Sequence, residues 1–368
     1  MLIAMDARAA NNAQISGGGI YLKSLIEAIA RLDTENSYCL YLNQPKSEFF
    51  PKYGANFTTK ILRAPYGWTQ FRLPISLFSD KPDIYFSYHH WLPLVTPKCK
   101  KIVTIHDLAF LNYPEYFGKG IANYLKYSTR NAIQKADKII TISQYSKNDI
   151  IVNYNVNEEK ICVIYHGYDR IFDIQRNPET SRRILNKYNI SHEYLFFLGD
   201  LHLRKNPIRS IDAFQQFKGK HQTDHKLVIA GRSDYLADRI FAHANNNKIK
   251  EHVVFTGYID RNDLPYLMSS ATALLFPSLF EGFGIPLLEA MASSTPIITS
   301  NITSMPEIVG DAGILIDPYD ANSIEAAIEE IVFDRSKREY LIAAGLKRAN
   351  NFSWDKTAKE TLEVFNSL

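Results

Sequence analysis

Short apolar, largely β-branched runs alternate with helix-period segments along almost the whole of this 368-residue chain. In the first half the runs are residues 2–5, 38–42, 84–87, 102–105, 139–142 and 161–164. In the second half they are 194–198, 226–230, 252–256, 273–276, 296–299 and 314–316. Each run is too short and too continuously apolar for a half-exposed strand. It suits a strand covered on both faces, and therefore a parallel sheet with crossover helices. Two sets of about six strands predict two doubly wound α/β domains. Helix starts fall between the runs. Asn206-Pro207 reads as a cap followed by a first-turn proline, Asp263 as a further cap, and Ser304 with Glu307 and Asn322 with Glu325 as capping boxes. Patterning is weakest from 168 to 192, which places the linker near 170–185 and the domains at 1–172 and 173–352.

Within this frame the segment Glu281-Gly282-Phe283-Gly284-Ile285-Pro286-Leu287-Leu288-Glu289 stands out. It follows a strand and opens a helix, with Pro286 in the first turn. Glycines allow close backbone approach, and the helix start presents N–H groups to an anion. Carboxylates would repel that anion, so Glu281 and Glu289 are better placed to accept hydroxyl hydrogen bonds. An anion flanked by hydroxyls describes a sugar nucleotide.

The run from Phe280 to Ala292 resembles the donor-site signature of glycosyltransferase family 4, retaining enzymes of the GT-B fold. The resemblance implies two Rossmann-like domains facing a central cleft, with a terminal helix over about 353–368 returning to the first. It implies Glu281 near the donor sugar, Glu289 on the ribose, and the N–H groups of Gly282, Phe283, Gly284 and Ile285 around the diphosphate. Arg204 and Lys205 lie between a strand end and a helix start, where cations would stabilise a diphosphate leaving group. The Arg-Lys-Asn triplet matches the family. Asp200, however, stands where the family often has a cation, and Arg204 is the expected substitute. His106-Asp107 resembles the family's Val-Thr-x-His-Asp-Leu segment, implying that His106 contacts the donor sugar while Asp107 supports it. Gly17-Gly18-Gly19, before a helix expected near residue 20, resembles the family's Gly-rich loop, with Gly18 and Gly19 on the donor phosphate. Residues 254–258 resemble the segment beside the base, 230–232 point to the same cleft, and Ser143 and Tyr145 are placed at the acceptor.

Composition narrows the setting. No run approaches the roughly 18 apolar residues of a membrane span, and the N-terminus reads as a strand rather than a signal peptide. The three scattered cysteines fit a reducing cytosol. Residues 1–175 hold 20 Lys and Arg against 15 Asp and Glu (net +5), and the remainder 22 against 24 (net −2). That basic, aromatic first half suits peripheral contact with an anionic membrane surface, whereas no nucleic-acid motif accompanies it. No Asp-x-Asp ends a strand as a metal site, so no cofactor beyond the nucleotide-sugar donor is expected. The expectation is a metal-independent hexosyltransferase of cell-surface polysaccharide synthesis, with GDP-mannose as first donor and UDP-glucose or UDP-N-acetylglucosamine as alternatives. The acceptor would be a glycan or lipid-linked saccharide. A sugar-nucleotide epimerase on the same fold, and a non-catalytic binding protein, are the competing classes.

Overall fold

The computed structural model describes residues 1–12, 16–118, 120–173, 177–234, 236–246 and 249–368. The chain divides into two compact units, Met1–Gly167 with Ser353–Leu368, and Tyr168–Phe352. The division falls between Gly167 and Tyr168 rather than at 172/173.

In the first unit the strands are β1 (Leu2–Asp6), β2 (Ser37–Leu42), β3 (Phe57–Ile61), β4 (Ile84–Ser87), β5 (Lys100–Ile105), β6 (Lys138–Thr141) and β7 (Ile161–Val163). They form one parallel sheet in the order β3-β2-β1-β4-β5-β6-β7. The order reverses at β1, so the switch point lies between β1 and β4, where ligands of doubly wound sheets bind. The second unit holds β8 (Tyr194–Leu198), β9 (Lys226–Ala230), β10 (Val253–Gly257), β11 (Ala273–Phe276), β12 (Ile297–Ser300) and β13 (Ile314–Ile316). Their order is β10-β9-β8-β11-β12-β13, again parallel, with the switch point between β8 and β11.

Burial explains the apolar runs. Strand β1 is buried from Ile3 to Asp6, and β11 along its whole length. Strand β3 was not legible in the sequence. It lies at the sheet edge, only Phe57 is fully buried, and Phe-Thr-Thr-Lys-Ile lacks an apolar run. The helix Trp354–Asn366 belongs to the first unit. Its Asp355 pairs with Arg31 of the helix Gly17–Leu32 at 2.5 Å, and Phe365 meets Phe86 edge-on.

Several local expectations need correction. The linker expected near 170–185 runs into a helix, Pro178–Lys187, capped by Asn177, whose side chain accepts from Glu179 and Thr180 N–H. Only Ser181 and Ile184 of that helix are buried, hence the weak apolar signal. The helix at 321 is capped by Asp320, not Asn322. Asp263 and Ser304 precede helices without capping them through their side chains. The Asp263 carboxylate instead takes Lys187 at 2.6 Å and the Tyr188 hydroxyl at 2.9 Å. Among the described residues the three cysteines are free, and no helix is long and apolar enough to cross a membrane.

Candidate active site

In the second unit the predicted residues gather at the carboxyl ends of β8 and β11, beside the switch point. After β8 the chain turns through Gly199 and a short 3-10 turn, Leu203–Lys205, before the helix Pro207–Lys220. After β11 it runs through residues 277–284 into the helix Ile285–Ala292. Gly284 is the hinge of this second crossing. Its φ is +96°, and a Cβ there would lie 2.9 Å from Leu287 Cδ1, so any other residue would be strained.

These two loops are tied together by charge. Lys205 Nζ donates to Glu281 Oε1 at 2.6 Å, and Arg204 Nη1 lies 3.6 Å from the same oxygen. Arg204 also donates to Phe280 O, while its own carbonyl accepts from Leu279 N–H at 2.8 Å. Burial alone would raise the Glu281 carboxyl. Lys205 and Arg204 more than offset it and hold the group below its ordinary value, hence ionised. Lys205 and Glu281, read from the sequence as separate ligand contacts, are therefore one ion pair in this structure.

The frame beneath the pair was missed in the sequence. Ser304 Oγ donates to Glu281 O at 2.8 Å and to Phe283 O at 3.3 Å. Asn206 adopts a left-handed conformation (φ +65°), which turns its side chain away from the helix start. Its Nδ2 spans to Pro277 O at 3.1 Å and Pro318 O at 2.7 Å. Both were read as helix caps, because cap and loop-tie draw on the same residue types.

Glu289 is buried at the centre of its helix and bonded to Arg261 Nη1 at 2.6 Å. Arg261 lies over the Phe172 ring, 4.9 Å from its centroid, and 3.7 Å from Asp169. Burial raises the Glu289 carboxyl above its ordinary value, and Arg261 offsets this only in part. No sequence signal pointed to Arg261, which sits in a turn after β10. Asp200, where a cation was looked for, holds Arg232 in a two-pronged pair at 2.9 and 2.8 Å. Arg232 and Asp200 neutralise each other, so position 200 brings no net positive charge to this edge of the sheet. Gly231 permits this approach, since a Cβ there would lie 1.8 Å from Gly199 O.

In the first unit, the carboxyl ends of β4 and β5 bring together His106, Tyr88 and the start of the helix Gly17–Leu32. Gly17, Gly18 and Gly19 form that helix's first turn rather than a preceding loop, and residues 13–15 lie outside those described. A Cβ on Gly18 would meet Tyr88 at 3.9 Å and His106 Nε2 at 4.0 Å. His106 Nε2 lies 2.8 Å from Tyr88 O. Burial lowers the His106 pKa, so the ring is neutral and Nε2 must carry the proton donated to that carbonyl. Nδ1 is then an acceptor. Asp107 accepts from Ala109 N–H at 2.9 Å, a turn-stabilising role. Ser143 is fully buried and caps the helix Gln144–Tyr154, so it is no acceptor contact; Tyr145 is half-buried.

His106 belongs to a buried aromatic cluster. Its ring lies 5.1 Å from Tyr21, 5.8 Å from His166 and 5.9 Å from His89. Burial lowers all four histidines, His90 to about 4. Asp107 opposes the shift at His90 and His106, while neighbouring histidines reinforce it. The consequence for acid stability has a definite sign. Above pH 6.5 neither the folded nor the unfolded chain protonates these rings. At His90, between 6.5 and about 4, the unfolded chain binds a proton that the folded chain refuses, so stability falls as pH drops, and the other three rings act in the same direction. His90 alone accounts for roughly 3 kcal/mol by pH 4. Thermal unfolding should show a falling Tm across that window. A flat profile there would contradict the neutral cluster.

The family described as Glycosyl transferases group 1 matches residues 180–348, and Glycosyltransferase Family 4 matches residues 15–171. The O-antigen chain mannosyltransferase B of Escherichia coli is 31% identical over 289 residues, which is 78% of this chain and 75% of that protein. The chain belongs to glycosyltransferase family 4. The O-antigen chain mannosyltransferase RfbU of Salmonella typhimurium is 30% identical over 72% of this chain and 68% of its own length. Among solved structures, Anabaena HepE in complex with UDP and glucose superposes with a TM-score of 0.77 at 16% identity. The superposition covers 100% of this chain and 99% of HepE, a likeness of fold. This glycosyltransferase thus has the two parallel-sheet Rossmann-like domains of GT-B enzymes.

Proposed function

We propose that this glycosyltransferase moves a hexose, in the first instance mannose from GDP-mannose, to a hydroxyl of a glycan or lipid-linked saccharide in cell-surface polysaccharide synthesis. The observation that carries the reading is the Lys205–Glu281 pair at 2.6 Å, set beside the start of the helix Ile285–Ala292. In it a cation meets the leaving diphosphate and a carboxylate meets sugar hydroxyls. The backbone around Gly282, Phe283, Gly284 and Ile285 presents N–H groups to the diphosphate. Glu289, steadied by Arg261, takes the ribose. His106 offers Nδ1 to a donor-sugar hydroxyl, and Gly18 and Gly19, in a helix's first turn, offer N–H groups to phosphate. Transfer proceeds with retention. The bond from the anomeric carbon to the phosphate oxygen breaks, the acceptor oxygen bonds on the same face, and its proton passes to the departing phosphate. Protein cations and helix ends supply the charge that a metal supplies elsewhere.

Mannose is favoured by the likeness to the two O-antigen mannosyltransferases. UDP-glucose is the second donor, favoured by the UDP and glucose complex of HepE. Thermal-shift measurements with GDP, UDP, ADP and dTDP, each with and without EDTA, separate the readings. A nucleotide at 100 times its Kd stabilises the native state by about 2.7 kcal/mol. A shift with GDP alone, insensitive to EDTA, is the expected result. A shift with UDP alone would replace the donor, and no shift at all would sink the donor-site assignment.

Peripheral membrane contact is part of the proposal. Residues 60–79, 88–106 and 116–136 contain Arg63, Arg72, Lys126 and Arg130, among other cations, and no Asp or Glu. The same stretches expose Phe71, Ile75 and Phe78 at helical spacing, together with Ile121 and Tyr127. Basic residues interleaved with exposed apolar ones suit an anionic lipid surface. The protein should sediment with vesicles containing phosphatidylglycerol and not with phosphatidylcholine alone. Equal recovery with both would remove the electrostatic argument.

A further inference from the structure

Away from the donor loops, the second unit brings together a histidine and two glutamates that the transfer reading does not use. His221 follows directly on the helix Pro207–Lys220, and Glu325 and Glu329 stand one turn apart on the helix Ala321–Phe333. Residues four apart share one face of a helix, so both carboxylates lie on the side of the same neighbour. The two helices pack against each other. Asn206 Nδ2 ties to Pro318 O at their starts, and Lys220 Nζ reaches Glu325 Oε2 at 2.6 Å further along. One ligand atom from each of His221, Glu325 and Glu329 lies within 4.8 Å of the other two. His221 Nε2 and Glu329 Oε2 are already 3.3 Å apart.

Burial sets this cluster apart from an ordinary acidic surface. Glu325 is only 2% exposed. Asp320 caps its helix, so Glu325 has no part in a capping box. Lys220 takes its Oε2, whereas Oε1 is buried with no hydrogen-bond partner. His221 Nε2 is buried without one too, since the Glu329 oxygen does not line up as a hydrogen bond. A carboxylate oxygen and an imidazole nitrogen left bare are costly to bury, and both are electron-pair donors. Two carboxylates also face a single ammonium. Among the described residues, Lys220 is the one Lys or Arg within ion-pair distance of either. The Phe217 and Phe333 rings, 5.2 and 4.9 Å from the imidazole, flank it with apolar surface.

We infer that His221, Glu325 and Glu329 bind a zinc ion that staples the two helices. One imidazole and two carboxylates, with water as a fourth ligand, suit tetrahedral zinc. Magnesium and calcium favour sites built from oxygens alone, so the imidazole tells against them. Ligands sharing one zinc at about 2.0–2.2 Å stand roughly 3.4 Å apart. Side-chain rotation closes the remaining gap, and Glu329, whose side chain is 45% exposed, has room for it. The Lys220 side chain is 57% exposed and can yield its place to the ion. Such an ion stays outside the transfer chemistry. The helix Pro207–Lys220 separates His221 from Lys205 by about 20 Å along its axis. Zinc would lock the later turns of the helix pair, as Asn206 locks their starts.

The test measures zinc uptake by the full chain with any affinity tag removed. The protein is stripped with EDTA, desalted and titrated with zinc by calorimetry. A single zinc per chain is expected, with a rise in Tm. Cobalt(II) in its place should give the visible absorption of a four-coordinate ion. Glu329→Gln keeps the side-chain shape at an accessible position and should fold as the parent does. It should weaken zinc binding by at least about tenfold and abolish both the zinc-dependent rise in Tm and the cobalt absorption. His221→Gln should show the same losses. No stoichiometric uptake at micromolar zinc, or uptake undiminished in either variant, would overturn the inference. Removing zinc lowers the starting Tm and leaves the increment from a nucleotide unchanged, so this test and the donor test fail separately.

Discussion

Lys205→Ala should lower turnover by about 100- to 1000-fold, the usual cost of removing one preorganised donor from a leaving-group site. The structure complicates how that result must be read. Lys205 neutralises Glu281, which is nearly buried, so the single variant also leaves a carboxylate with only Arg204 at 3.6 Å. Breaking a buried pair from one side typically costs about 3–5 kcal/mol, and the residual Arg204 contact should hold the loss towards the low end. Glu281 is held below its ordinary pKa by these cations. Its stabilising contribution is therefore present above the unfolded value and lost as pH falls through the folded one. In Lys205→Ala much of that contribution disappears at neutral pH. The control is the double variant Lys205→Met with Glu281→Gln, which removes both charges and keeps the volumes. It should recover most of the lost stability and none of the lost turnover. Recovery of turnover in the double variant would show that Lys205 serves only to neutralise Glu281.

Arg261→Ala should lower stability by about 3 kcal/mol at pH 7, because Glu289 is left buried without its cation. The pH dependence identifies the cause. Glu289 already has a raised pKa from burial, and removing Arg261 raises it further. Ionising it in the folded state then costs stability as pH rises above the unfolded value. The deficit should accordingly be smaller at pH 5 than at pH 8. Adding Glu289→Gln to Arg261→Ala should restore stability in denaturant melts. A deficit independent of pH would place the effect in the Phe172 packing instead. Glu289→Ala should chiefly weaken nucleotide affinity, and unchanged nucleotide binding would contradict the ribose role.

Both variants act through ion pairs that the sequence did not display. Glu281 and Glu289 were legible because a strand end, two glycines, Pro286 and a helix start occur within a few residues. Lys205 was legible for the same reason: strand, glycine turn, cation and proline follow one another directly. His106 was legible from its place after β5. In each case the signal is local in the chain, and period and turn chemistry are local properties. Arg261 carried no such signal, and the local signals at Ser304, Asp200 and Arg232 did not disclose the contacts these residues make.

The sequence by itself determined the class of fold, through apolar runs that demand cover on both faces, and the family, through the residues from Phe280 to Ala292. It also determined which residue types stand at strand ends. Only the tertiary structure decided which of them meet. Lys205 finds Glu281 because β8 and β11 are neighbours at a switch point although far apart in the chain, and Arg261, in the turn after β10, reaches Glu289 on the helix that follows β11. Strand β3 and the cluster of His221, Glu325 and Glu329 follow the same rule. An edge strand needs little apolar sequence, and the cluster is made by two helices that only packing brings together. Pairing across a sheet is a long-range choice, and it is made by packing rather than by local preference.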